Sequence, residues 1–133
     1  MNILSENHLD RIEYILQENL IDKGISCSIL IDMAGNIIAN LGDGEKKLDI
    51  YSLAALAAGN YGAVHAMASI VGEDDFSLLF HKGKDVNIHF ANILDDYLLI
   101  TIFTNDLSLG FLRLTVANAM TEIKSSLNYR SYI

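Results

Sequence analysis

Residues 50–72 read IYSLAALAAGNYGAVHAMASIVG, and not one of them carries a full charge at neutral pH. The spacing predicts a helix, with Asp49 as its N-terminal cap. At about 100° per residue, Leu53, Leu56, Ala57, Asn60, Val64, Met67, Ala68 and Val71 share one side, which is expected to pack on a sheet. The other side of a surface helix should be charged, yet here it reads Tyr51, Ala55, Ala58, Gly62, Ala66 and Ser69. Small residues about one turn apart let another backbone approach closely, and Tyr61 and His65 on the flanks offer rings with polar tips for a rim. These eight residues form the candidate dimer or partner interface. Complete burial inside one chain would also leave a helix uncharged, but so short a chain has few elements to wrap it. A membrane span is opposed by Ser52, Asn60, His65, Ser69 and two central glycines.

Upstream, Leu9, Ile12, Ile15, Leu16 and Leu20 recur at helical spacing and Gly24 follows, which predicts an amphipathic helix over 5–22. Cys27–Asp32 and Ile37–Leu41 are β-branched runs joined by Met33-Ala34-Gly35-Asn36, an antiparallel hairpin. Residues 42–47 form a polar loop. Downstream of an acidic loop at 73–75, strands are expected at Phe76–Lys82, Asp85–Asn92 and Tyr97–Phe103, with turns at Gly83-Lys84 and Asp95-Asp96. Asn87 and His89 alternate with Val86, Ile88 and Phe90, so that strand is expected to be half-wet and toward an edge. The last helix begins near Ser108 and aligns Leu109, Leu112, Val116, Ala119, Met120, Ile123 and Leu127. Leu78-Leu79-Phe80 and Leu98-Leu99-Ile100 are apolar on both strand faces, so helices should cover both sides of the sheet. The expectation is an α/β fold: a three-layer α/β/α sandwich, order α-β-β-α-β-β-β-α, with a five-stranded, mostly antiparallel sheet.

The 133 residues suit a single domain, 1–133. Nine Lys and Arg against 17 Asp and Glu leave a net charge of −8, which disfavours nucleic acid and anionic lipid as partners. With 51% hydrophobic residues and no proline, neither a disordered tail nor a proline-rich linker is expected. One cysteine, Cys27, can close no disulfide within the chain, and the first residues lack the basic and apolar regions of a secretory signal; a cytoplasmic location follows as the expectation.

Catalytic signatures are missing. The chain has no His-Glu-x-x-His, Walker loop, Gly-x-Ser-x-Gly or Cys-x-x-Cys. Gly42-Asp43-Gly44 lacks the third glycine of a dinucleotide cradle. A turn at Gly83-Lys84 would put His81 opposite Val86 and leave His89 two residue pairs away, a poor start for a metal site. The carboxylates of Asp74-Asp75 and Asp95-Asp96 should diverge into water, and Cys27 reads as a small strand residue. The expected protein is not an enzyme and has no metal and no cofactor.

The sequence resembles the Roadblock/dynein light chain family, and within it the bacterial regulators of the MglB type, over roughly residues 5 to 125. Residues Ile29 to Ala39 match the family's apolar-Asp-x-x-Gly-x-apolar-apolar-Ala hairpin. Leu53-Ala54-Ala55 matches the start of its small-residue helix, and Gly110-Phe111-Leu112-Arg113 the opening of its last helix. The resemblance implies a homodimer with antiparallel second helices and third strands paired into one continuous sheet. It also implies a Ras-like small GTPase as partner, for which the chain would be a regulator or scaffold, with GTPase activation favoured; no membrane insertion is expected from the polar residues of the second helix. Such regulators are thought to reposition the GTPase's own residues, so Arg113 is read as structural or surface-exposed and not as an arginine finger. The alternative function is a small-ligand sensory domain with a pocket between sheet and helix, where Tyr61 and His65 would touch the ligand.

Overall fold

A computed structural model describes residues 4–42, 48–74 and 79–129. The elements follow the expected order: α1 (Glu6–Asn19), β1 (Cys27–Asp32), β2 (Ile37–Gly42), α2 (Ile50–Ile70), β3 (Leu79–Lys82), β4 (Val86–Ile93), β5 (Tyr97–Thr104) and α3 (Leu109–Tyr129). Residues 1–3, the loop residues 43–47 and the expected strand start at 76–78 lie outside the described residues.

Local chemistry accounts for the element ends. The Ser5 Oγ accepts a bond from the His8 backbone N–H at 3.2 Å, which caps α1. The helix stops three residues short of its expected end, because Ile21–Lys23 tighten into a 3-10 turn closed by Gly24 at φ 100°. Asp49 caps α2, its carboxylate accepting from the Ser52 N–H at 3.1 Å and the Ser52 hydroxyl at 2.7 Å. Those bonds favour the ionised form and hold the Asp49 pKa below its ordinary value.

Five antiparallel strands lie in the order β2-β1-β5-β4-β3, so β2 and β3 are the edges. Alternation within the strands sends Leu30, Ala91, Leu99 and Phe103 to one face, under α1 and α3. Ile29, Ile31, Phe90, Leu98 and Ile100 go to the other, under α2. The three-layer α/β/α sandwich is therefore the observed architecture. Leu112, Val116, Ala119, Ile123 and Leu127, all on the expected side of α3, are buried in the first of these layers.

Two local expectations need correction. The β3–β4 turn is centred on Lys84-Asp85, not Gly83-Lys84: the Gly83 N–H bonds the Val86 carbonyl at 3.1 Å, and the Asn87 Oδ1 accepts from the same N–H at 3.2 Å. This one-residue shift of the turn moves the pairing by two residues, so that His81 pairs with Ile88 and His89 with Phe80. β4 is also not half-wet in the expected sense, for its polar side is the covered one. Asn87 and His89 are buried beneath the α3 layer, whereas Val86 on the opposite side is exposed. The cost of burying Asn87 is offset by bonds from its Nδ2 to the Phe103 carbonyl at 3.4 Å and the Asn105 Oδ1 at 2.9 Å.

Candidate protein-docking faces of the second helix

The β1–β2 hairpin sets the position of α2. Asp32 accepts from the Ala34 and Asn36 backbone N–H groups at 3.0 and 2.9 Å, and from the Asn36 side chain at 3.0 Å. Partial burial pushes the Asp32 pKa up, but these bonds outweigh it and the net shift is downward. Gly35, at φ 91°, turns the chain beside the helix so closely that a Cβ there would lie 3.3 Å from the Ala55 Cα. Only a glycine combines that conformation with that approach.

The side that α2 gives to the sheet overlaps the expected one only in part: of the expected residues, Ala57 and Ala68 are buried and Leu53 and Val64 half-buried. Buried against the sheet are Ala54, Ala57 and Tyr61, with Ile50, Leu53 and Ala58 packed at the border, and Ala68 is buried nearer the end of the helix. The expected core residues Leu56, Asn60, Met67 and Val71 are exposed, Leu56 by 72%, Met67 by 53% and Val71 by 67%. Small alanines let the helix lie close to β1, and a helix without charges has no hydropathy contrast to announce which side that is. The outcome reverses the usual amphipathic order: alanines inside and large aliphatic side chains outside. Leu53, Leu56, Asn60, Val64, Met67 and Val71 are spaced three or four residues apart, the periodicity of a helix–helix seam.

The eight candidate interface residues divide. Tyr51, Ala55, Gly62, His65, Ala66 and Ser69 are exposed, and Ala58 is half-buried. Tyr61 is in the core, 7% exposed, so it is not a rim residue of the isolated chain. Its hydroxyl accepts from the Asn92 Nδ2 at 2.5 Å, and its ring lies nearly parallel to that of His65, centroids 6.3 Å apart. Tyr61, Gly62 and His65 wall an open cavity of about 500 Å³ together with Met33, Ala58, Asp74, Asn92 and Asp95. This cavity flanks α2 on the side away from Leu56 and Met67. The alternative sequence reading placed Tyr61 and His65 at a pocket, and both line this one, but its Asn92 and Asp95 wall had no signal, since it comes from a strand and turn far along the chain from α2.

Asp95 and Asp96 do diverge. Asp95 faces the α2 cavity, while Asp96 borders a second opening of about 520 Å³ lined by Leu4, Leu9, Ile38 and Tyr97. Cys27 is 1% exposed, and its Sγ is 3.8 Å from the Asn40 Oδ1. Among the described residues no three His, Cys, Asp or Glu side chains are placed to hold a metal ion, and no helix is long and apolar enough to cross a membrane.

A family model described as the Roadblock/LC7 domain matches residues 12–103. The chain belongs to the Roadblock/LC7 family. Among solved structures, MglB of Myxococcus xanthus is 27% identical with a TM-score of 0.87, the match covering 99% of this chain and 97% of that one. The gliding protein MglB of Thermus thermophilus is 26% identical with a TM-score of 0.85, covering 96% of both chains. A further MglB, described with a tetrameric arrangement, is 25% identical with a TM-score of 0.85 and covers 96% of this chain and 95% of that one. No protein among the curated sequences matches the chain. The Roadblock match stops at residue 103, before α3, whereas the MglB matches span nearly the whole chain and so include it. In this Roadblock chain α3 shares one core with α1, through Leu112, Val116, Ile12 and Leu16.

Proposed function

We propose that this Roadblock protein is a single-domain, non-enzymatic regulator that acts in the cytoplasm as a homodimer and binds a Ras-like small GTPase, GTPase activation being the favoured effect. The observation that carries the reading is the row of large apolar side chains, Leu56, Met67 and Val71, left in water on an uncharged helix whose alanines take the sheet. A second copy of α2 laid antiparallel would bury that row. β3 is an edge strand and thus has unpaired backbone groups to offer to its counterpart. The likeness to MglB structures over nearly the whole chain supports a GTPase as the further partner.

The test is the solution mass by light scattering, alone and with a Ras-like GTPase loaded with a GTP analogue, followed by GTP turnover and nucleotide exchange. The reading expects a dimer alone, a nucleotide-dependent complex and faster turnover. A monomer at high concentration contradicts the dimer, and the absence of both complex and rate change contradicts the GTPase reading.

A further inference from the structure

The cavity beside Tyr61 and His65 lies on the flank of α2 opposite the apolar row, so one helix has two surfaces of different chemistry. Its walls are Met33, Tyr61, His65, Asp74, Asn92 and Asp95. Among the described residues no lysine or arginine borders it, and two carboxylates line it beside the stacked Tyr61 and His65 rings. The turn that supplies Asp95 is held in a costly conformation, with Leu94 at φ 57° and Asp95 at φ 62°, both left-handed non-glycine residues. It is locked by a reciprocal pair: the Asp95 N–H donates to the Asn92 Oδ1, and the Asn92 Nδ2 donates to the Asp95 Oδ1, each at 2.9 Å. Because the same Nδ2 donates to the Tyr61 hydroxyl, the carboxylate is fixed relative to the aromatic wall.

A planar cation that stacks on rings and pairs with carboxylates suits such walls, and among protein side chains that is arginine. A free anion would meet two negative charges there. We propose that this cavity receives an arginine side chain of the docked GTPase, while the Leu56–Met67–Val71 side of α2 holds the second copy. This rests on the reading that the chain binds a GTPase. A dimer partner on the opposite flank leaves the cavity open to another body, and the chain's net charge of −8 favours a basic one.

The cavity is tested without the GTPase. The isotope-labelled protein is titrated with arginine ethyl ester and, separately, with the ethyl ester of citrulline, its neutral isostere, while the amide resonances of Gly62, His65 and Asn92 are followed by NMR. The expected result is saturable, millimolar binding of the arginine ester, at least tenfold weaker for the citrulline ester and for Asp74→Asn/Asp95→Asn. Asn at 95 retains the oxygen that accepts from Asn92, and the thermal midpoint reports whether the variant is folded. Equal shifts with both esters, no shifts, or unchanged binding by the folded variant would each overturn the proposal. Where the wild-type chain forms a GTPase complex, the double variant is expected to weaken it at least tenfold with the dimer mass unchanged; an unweakened complex also overturns the proposal. Failure of the wild-type chain to bind any GTPase would refute the GTPase reading itself, and the ester titration would still decide what the cavity accepts.

Discussion

Ser28 on β1 is the direct cross-strand partner of Thr101 on β5, and Thr101 is in turn the partner of His89 on β4. All three point to the layer of α1 and α3, with Ser28 and Thr101 fully buried and His89 8% exposed. Among the described residues the Ser28 Oγ, the Thr101 Oγ1 and the His89 Nδ1 have no hydrogen-bond partner. A polar row thus crosses the middle of the sheet where an aliphatic one would fit, and unsatisfied buried groups of this kind reduce stability. Thr101→Val keeps the branched shape and removes one such hydroxyl. It should raise the urea midpoint, with a gain of about 1 kcal/mol. A loss of stability instead would mean that ordered water satisfies the hydroxyl.

His89 gives the same row a pH dependence. Burial, and secondarily the positive charge of Arg113, lower its pKa below the ordinary value of about 6.5. The folded state therefore keeps the ring neutral, and the unfolded chain binds the extra proton first. Stability is complete above about pH 6.5 and declines as the pH falls from there toward the lowered folded pKa. Urea midpoints at pH 7.5 and 5.5 should differ more for the wild-type chain than for His89→Phe, which has no proton to bind at that site. Equal differences would place the pH dependence elsewhere.

Only part of this could be read beforehand, for physical reasons. The β1–β2 hairpin was readable because β-branched runs flank a glycine that must turn at positive φ, and β1 begins and ends where the pattern places it. The last helix was readable because Leu112, Val116, Ala119 and Ile123 contrast with polar neighbours. Helix α2 lacks that contrast, so periodicity found its stripe of Leu56, Met67 and Val71 but assigned the stripe to the wrong environment. The burial of Ser28, Thr101 and His89 had no signal in the sequence, since it depends on α1 and α3, far away along the chain. The Asp95 wall of the cavity was invisible for the same reason.

The bond from Asn92 to Tyr61 is a polar tie between α2 and β4. Tyr61→Phe keeps the buried ring and deletes the acceptor, while the Asn92 Nδ2 retains Asp95. The expected loss is about 0.5 to 1.5 kcal/mol, read from equilibrium unfolding, with the dimer mass unchanged. A larger loss would show that the tie also orders the Leu94-Asp95 turn, and faster proteolysis at that turn would accompany it.

The two flanks of α2 can be separated by placing the same charge on each. Leu56 is 72% exposed in the single chain, and Leu and Arg have similar helix propensities, so Leu56→Arg should fold with nearly wild-type stability as a monomer. If a second copy covers Leu56, the substitution forces an unpaired charge into an apolar contact, at a cost commonly of several kcal/mol. Dimer affinity should then fall at least about a hundredfold, since about 1.4 kcal/mol is a tenfold change. Gly62 is on the other flank, and a Cβ there meets nothing within 4 Å. Gly62→Arg gains roughly 0.5 to 1 kcal/mol from helix propensity, so its thermal midpoint should rise while its mass stays that of the dimer. Light scattering over a dilution series distinguishes the outcomes: dissociation of Leu56→Arg alone assigns the dimer to the aliphatic side. Dissociation of Gly62→Arg alone would instead assign it to the side carrying Tyr51, Ala58, Gly62 and His65, and two intact dimers would mean that β3 pairing holds the copies together without α2.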